Sequence, residues 1–298
     1  MKKAVINGFY FLSGMFFLIL AKIKHFTFGY SPKDFTTNEI QRCIEYDINI
    51  VDNWLSLLKE YTGNKDLKDK SVLELGPGSD LGIGLYILEK SAKKYSAVDV
   101  HDLASSVSLQ FYDSFFSYLR DIKQVDTLEL QAELQKTQSG HGERLNYICR
   151  KDFNIQEALK GQTVDVIFSN AAFEHFENIE QTIKDISAVA HKGSLFIVSI
   201  DLQTHSRWIR EKDPNNVYRY PNWLYRLLTT KSSPNRVRPY QYVQALEKEG
   251  WGNITVKPGS VLPPTVHNMT YEYLNSQFHN KKNQMEYQSV WICATKEH

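Results

Sequence analysis

The chain has 298 residues, of which 42% are hydrophobic and 23% charged, as in a folded protein of one large domain or two small ones. A net charge of +1 excludes an overall bias toward polyanions. Cys43, Cys149 and Cys293 lie far apart, so neither a disulfide framework nor a metal site is expected. They fit a reducing compartment, and we expect a cytoplasmic protein or one on the cytoplasmic face of a membrane.

The N-terminal segment is strongly apolar. No charged residue occurs from Ala4 to Ala21, and lysines flank this stretch on both sides. The stretch is about as long as the shortest membrane-spanning helices, but it could also lie in the membrane interface, or dock onto its own domain or a second subunit. We therefore separate an apolar segment, residues 1–35, with membrane contact through residues 4–21, from a main domain, residues 36–298.

An amphipathic helix is predicted from Glu39 to Tyr61. Apolar residues and Asp47 recur in it at spacings of three and four, which places them on one face. We expect this helix to pack beside the first strand in a structural role.

A glycine-rich turn follows, in the sequence Val72-Leu-Glu-Leu-Gly-Pro-Gly-Ser-Asp-Leu-Gly82. It predicts a buried strand, a tight turn and a helix beginning near Leu81. Gly76 and Gly78 would allow close approach of a ligand, toward which the helix N-terminus would direct N–H groups. The third glycine comes one position later than in the dinucleotide fingerprint G-x-G-x-x-G, which disfavours a nicotinamide-dependent oxidoreductase.

This stretch resembles motif I of the class I S-adenosylmethionine (SAM)-dependent methyltransferases. The resemblance implies that the loop with Gly76 and Gly78 wraps the methionine and ribose parts of SAM. It implies that Glu74, two residues before the first glycine, helps to hold the methionine amino group. At the end of the second predicted strand, Asp99 matches the acidic residue that accepts hydrogen bonds from both ribose hydroxyls.

Two further positions match the same family. After the third predicted strand, the resemblance places Asp152 at the exocyclic amine of adenine and Phe153 beside the ring. The fourth predicted strand ends in Ser-Asn170-Ala-Ala-Phe-Glu-His175, which is similar to motif IV. This similarity implies that Asn170 lies under the sulfonium, with Glu174 and His175 near the transferring methyl group or on the cofactor.

The fifth predicted strand ends in Asp201-Leu-Gln-Thr-His205. This pattern resembles a subgroup of bacterial methyltransferases in which Ile-Asp-Leu-x-x-His follows strand five. His205 titrates near neutrality and could remove a proton from an acceptor hydroxyl or amine, with Asp201 orienting it. It could equally be a loop histidine that shapes the pocket.

A cap insertion is predicted at about residues 206–240. It contains eight arginines and lysines, two acidic residues and interleaved tryptophans and tyrosines. Such a segment could stack on a sugar or aromatic acceptor, bind a phosphate, contact anionic lipid, or form a solvated cap in which arginines stack on tyrosines. A nucleic-acid partner is disfavoured, because the rest of the chain has no basic bias.

The alternation of strands and helices predicts an α/β fold: a Rossmann-like, doubly wound, mostly parallel seven-stranded sheet with an N-terminal apolar helix and a cap. The resemblance, which covers about residues 70–201, implies a SAM-dependent methyltransferase acting by direct displacement. A small molecule, a sugar or a lipid-linked glycan precursor is the expected acceptor. The alternative is a non-catalytic, membrane-associated module that binds SAM or a nucleotide, since fold alone does not fix function.

Overall fold

A seven-stranded sheet organises the computed structural model, which describes residues 2–28, 37–230 and 233–298. The predicted boundary between residues 35 and 36 lies outside the described residues. The strand order is β3-β2-β1-β4-β5-β7-β6. The strands are β1 Ser71–Leu75, β2 Lys94–Asp99, β3 Leu145–Cys149, β4 Val164–Asn170, β5 Ala190–Asp201, β6 Trp251–Val261 and β7 Tyr287–Lys296.

The pairing of these strands confirms the predicted fold. The four pairings from β3 through β2, β1 and β4 to β5 are parallel, whereas β7 runs antiparallel to both of its neighbours, β5 and β6. The carboxyl ends of the parallel strands therefore meet at one edge of the sheet. Open α/β sheets bind their ligands at this edge, where the strand order reverses between β1 and β4.

Helices cover both faces of the sheet. One face packs against α2, α3, α4 and α5, where the Trp54 ring stacks on Phe168 with the ring centroids 4.6 Å apart. The other face packs against α6, α7 and α10. The helices are α1 Lys2–Phe28, α2 Thr37–Thr62, α3 Gly82–Glu89, α4 Leu109–Asp121, α5 Leu128–Gln138, α6 Ile155–Leu159, α7 Ile179–Val189, α8 Arg207–Lys212, α9 Asn222–Leu228, α10 Pro239–Lys248 and α11 Pro264–Thr270.

Helix α1 docks onto the cap through a buried polar contact. The Asn7 side chain donates to the backbone carbonyl of Met269 at 3.1 Å and accepts from Arg219 at 2.7 Å. Arg219 in turn donates to Asp213 at 2.5 Å, and all three of these side chains are buried. Of the roles predicted for the N-terminal segment, docking onto its own domain is therefore the one that these contacts display.

The opposite face of α1 is apolar and exposed. Residues Lys2–Thr27, whose most apolar stretch of 18 residues has a mean hydropathy of 1.9, are by length and composition the one part of the described chain that could cross a membrane. The exposed apolar residues recur every three or four positions, so they form one stripe along the helix. They are Val5, Phe9, Leu12, Phe16, Ile19, Leu20, Ile23 and Phe26.

The cap directs three of its arginines inward. The Arg238 guanidinium is fully buried and donates to two backbone carbonyls at 2.8 and 2.6 Å. Arg236 lies 4.0 Å from the centroid of the Tyr225 ring, and burial lowers its pKa. These contacts match the alternative in which arginines of the cap stack on tyrosines, but Arg236, Arg238 and Arg219 are buried and not solvated. A buried guanidinium group needs hydrogen-bond acceptors. The backbone carbonyls that accept from these arginines connect separate segments of the chain and so stabilise the cap.

The docking of α1 can be tested with two glycines on the same helix. A Cβ at Gly14 would overlap the side chains of Asn216 and Tyr220, whereas a Cβ at Gly8 would meet nothing within 4 Å. We expect Gly14→Ala to raise amide hydrogen exchange in α1 on the order of tenfold, since overpacking costs roughly 1–3 kcal/mol. Gly8→Ala is the matched control and should leave exchange unchanged or slower. Equal protection of α1 in both variants would contradict this docking.

Candidate functional site

The loop after β1 needs glycine at two positions for different reasons. Gly76 and Gly78 have φ of +71° and +82°, values that side chains rarely adopt. A Cβ at Gly76 would lie 2.6 Å from the Cβ of Ala172, so this glycine allows the loops after β1 and β4 to touch. A Cβ at Gly78 would meet nothing within 4 Å. Gly78 therefore borders open space at the carboxyl edge of the sheet.

A buried patch of carboxyl groups lies below this loop. Glu74 accepts a hydrogen bond from the Tyr95 hydroxyl, and burial raises the pKa of Glu74 to about 8. Asp47, which α2 supplies, lies beside Asp80 at Gly82, and burial raises the pKa of both side chains. Three buried carboxyl groups lie close together here, and a bound cation would offset the charge that they carry when ionised.

The sequence interpretation gave α2 a structural role and so missed its contribution to this patch. Asp47 stands among apolar residues on the buried face of that helix. A carboxylate on a buried face is a signal of a polar site, because an unpaired charge is rarely buried.

Three of the predicted cofactor residues lie after neighbouring strands. Asp99 ends β2, is nearly buried and accepts from the backbone N–H of His101 at 2.8 Å; burial raises its pKa. Asp152, after β3, is exposed and accepts two hydrogen bonds from Arg150, at 2.9 and 2.7 Å, which lower its pKa to about 2. Phe153 follows it, half-buried, with a φ of +49°.

Asn170, at the end of β4, contacts a second residue from α2. Its Nδ2 donates to the hydroxyl of Tyr46 at 2.8 Å, and the Tyr46 side chain remains 54% exposed. Partial burial, with added effects of the carboxylates of Asp47, Glu74 and Glu174, raises the pKa of this hydroxyl. Tyr46 thus stays protonated and links the carboxyl patch to the polar cluster after β4.

Two histidines and two carboxylates gather where β4 and β5 end. The rings of His175 and His205 have centroids 4.9 Å apart, and His205 Nε2 lies 3.7 Å from an oxygen of Asp201. Asp201 is also bound by Arg210 at 2.8 Å. Burial and the nearby His175 lower the pKa of His205 to about 4, so its ring is neutral at pH 7. Glu174 is buried, and burial raises its pKa to about 8.

Two cavities adjoin this histidine pair. The cap cavity has a volume of about 530 Å³ and extends from His175 into the cap. The α1 cavity has a volume of about 500 Å³ and runs between α1 and the cap, with His205 in its wall. Its other lining residues on α1 are mostly apolar and include Phe17, Leu18 and Ala21. Each volume is in the range of small-molecule sites.

The strand order, the glycine turn after β1, the acidic residue ending β2 and the polar cluster after β4 define a class I methyltransferase. The sequence profile of a methyltransferase domain family matches residues 49–256. The chain belongs to this family and is a SAM-dependent methyltransferase. A search of curated protein sequences finds no match.

The chain is also similar to several solved structures. A putative sarcosine dimethylglycine methyltransferase from Galdieria sulphuraria is 12% identical, with a TM-score of 0.48 over 93% of this chain and 97% of that one. A putative SAM-dependent methyltransferase from Listeria monocytogenes is 18% identical, with a TM-score of 0.43 over 78% and 93%. The CurJ carbon methyltransferase is 15% identical, with a TM-score of 0.41 over 78% of this chain and 50% of that one.

The buried Glu74 predicts how stability depends on pH. With a folded pKa of about 8 against an ordinary value of 4.5, the folded protein keeps a proton that the unfolded chain has lost. Between pH 4.5 and about pH 8, the free energy of unfolding should therefore fall as pH rises. The total fall from this group should be a few kcal/mol. Denaturant unfolding at a series of pH values measures it. Glu74→Gln should show a shallower fall than the wild type, and an unchanged slope would contradict the assignment.

Proposed function

We propose that SAM binds across the carboxyl ends of β1, β2 and β4, and that its methyl group passes to an amphiphilic acceptor beside the histidine pair. The observation that carries this proposal is the arrangement at the edge of the sheet. The open space at Gly78 lies at the same edge of the sheet as Asp99 and Asn170. The α1 cavity, whose wall on α1 is mostly apolar, extends to His205.

The proposed cofactor contacts follow from charge and position. The carboxyl patch formed by Glu74, Asp47 and Asp80 suits the positively charged methionine amino group, whose charge would favour the ionised form of these buried groups. Asp99 would accept from the two ribose hydroxyls.

The adenine ring is assigned to the loop after β3. Asp152 would accept from the exocyclic amine and Phe153 would flank the ring. Arg150 already donates to both oxygens of Asp152, and an oxygen has a second lone pair for the amine.

Methyl transfer needs alignment more than chemical activation. The acceptor atom attacks the methyl carbon in line with the departing sulfur, and holding both partners in place supplies most of the rate. In this proposal, Asn170 lies under the sulfonium, and Tyr46 holds the Asn170 amide. If the acceptor atom carries a proton that must leave, the groups that could accept the proton are His175, His205 and Asp201.

The amphiphilic acceptor is proposed from the two faces of α1. Its inner face gives the α1 cavity an apolar wall that suits a hydrocarbon chain, while the cap cavity is more polar and suits a sugar or other head group. Its outer face exposes the apolar stripe, and Trp208 and Trp223 of the cap are exposed as well. Tryptophans and flanking lysines are typical of helices that lie in the membrane interface. A lipid or lipid-linked glycan precursor fits both features.

Cofactor binding is tested by calorimetry. Titration of the purified protein with SAM should give saturable binding, and Asp99→Ala should weaken it by about 10- to 150-fold, the equivalent of losing charge-assisted hydrogen bonds worth about 1.5–3 kcal/mol. Asp113→Ala, which removes an exposed carboxylate on α4, is the control and should bind like the wild type. Absence of SAM binding to the folded wild type would overturn the proposed function.

Membrane contact is tested by flotation with vesicles that contain anionic phospholipid. Phe16→Glu combined with Ile23→Glu places two charges in the apolar stripe and should abolish flotation, because burying a charge in the interface is unfavourable. The control combines Ile122→Glu with Leu128→Glu, at equally exposed apolar positions near the ends of α4 and α5, and should still float. Equal flotation of the two double variants would rule out the stripe as the membrane contact.

A further inference from the structure

We propose that Glu174, His175 and His205 bind a divalent transition-metal cation at the junction of the two cavities. One potential ligand atom from each side chain lies within 4.8 Å of the others. The residues come from two loops, after β4 and after β5, so no sequence spacing reveals the set. The position of this site beside the acceptor rests on the proposed function, whereas binding of the metal itself does not.

A buried oxygen without a partner points to the ligand. Glu174 is 3% exposed, and its Oε2 atom has no hydrogen-bond donor among the described residues. A buried carboxylate oxygen that lacks a donor is costly, so native structures supply one or place a cation there. A metal ion bound to Oε2 would provide the missing interaction.

The donor set selects the kind of metal. Two imidazoles and one carboxylate favour zinc, iron, cobalt or manganese in the divalent state, whereas magnesium and calcium prefer oxygen ligands alone. Metal–ligand bonds of about 2.0–2.2 Å need ligand atoms roughly 3.3 Å apart, so the side chains must move together slightly. The two histidines are partly exposed and Glu174 is buried, so this movement falls to the histidines.

The surroundings of the site match those of a metal centre. Asp201 lies 3.7 Å from His205 and could hold the ring nitrogen that does not bind the metal, as carboxylates do in many metal sites. Arg210 is the nearby positive charge, and its ion pair with Asp201 at 2.8 Å offsets its repulsion of a cation. Three protein ligands leave coordination positions open for water or an acceptor.

The metal would act on an acceptor hydroxyl. His175 lines the cap cavity and His205 lines the α1 cavity, so the ion would meet an acceptor that extends through both. Coordination lowers the pKa of the hydroxyl, and its proton passes to water. The resulting oxygen attacks the methyl carbon of SAM, the carbon–sulfur bond breaks, and sulfur keeps the electron pair. The products are the methyl ether, S-adenosylhomocysteine and a proton.

Metal binding is measured first, on the tag-free full chain stripped with a chelator. Equilibrium dialysis against Co²⁺, Mn²⁺ and Zn²⁺ should give one ion per chain for at least one of them, and the cobalt form should show visible absorption from nitrogen and oxygen ligation. Glu174→Gln and His205→Ala should each weaken binding by about 100-fold or more. His141→Ala removes an exposed loop histidine and should leave binding unchanged. A wild-type chain that binds none of these ions overturns the proposal, as does equal binding by all variants.

SAM calorimetry and thermal unfolding separate this proposal from the proposed function. Variants that unfold like the wild type and still bind SAM, but lose the metal, support the site. If Glu174→Gln does not fold, His175→Ala, at a partly exposed position, replaces it in the comparison. A wild-type protein that binds SAM but no metal overturns the metal site alone, whereas metal uptake without SAM binding overturns the proposed function alone.

Discussion

The close contact between Gly76 and Ala172 is the constraint on which the site depends. It joins the loop after β1 to the loop after β4, and any side chain at Gly76 would push the two loops apart. The loop after β1 borders the open space at Gly78, while the loop after β4 carries Glu174 and His175. The absence of a side chain at Gly76 thus sets how near the open space at Gly78 lies to Glu174 and His175.

Buried charged residues are arranged differently in the carboxyl patch and in the cap. Under the glycine loop, carboxyl groups are buried together, and burial raises their pKa values. In the cap, buried arginines are satisfied by backbone carbonyls and aromatic rings. Those arginines are therefore committed to holding the cap in shape, and they are not free to bind a phosphate.

Local patterns predicted most of the fold, because each strand and turn was encoded by consecutive residues. The glycine turn, Asp99 and Asn170 all follow predicted strands, and parallel strands bring such positions to one edge. The proximity of His175 to His205 also follows from that rule, since both come directly after neighbouring strands β4 and β5.

The remaining features depend on contacts between distant parts of the chain. Helical periodicity showed that α2 has a buried face, but it could not show that Asp47 and Tyr46 reach the loops after β1 and β4. Composition showed that the cap is basic, yet the direction of Arg236 and Arg238 depends on acceptors contributed by other segments. The roles of these residues depend on tertiary packing, which a pattern of consecutive residues does not show.

The uncharged stretch from Ala4 to Ala21 acquires a different meaning once α1 is seen in place. One side of the helix fits against the cap, a second forms the wall of a cavity, and a third is open to the surroundings. Each side excludes charge for its own reason, and together they leave no position for an ionised residue. Mean hydropathy averages over all sides of a helix. A helix with three different apolar sides therefore has the same mean hydropathy as a helix that is surrounded by lipid.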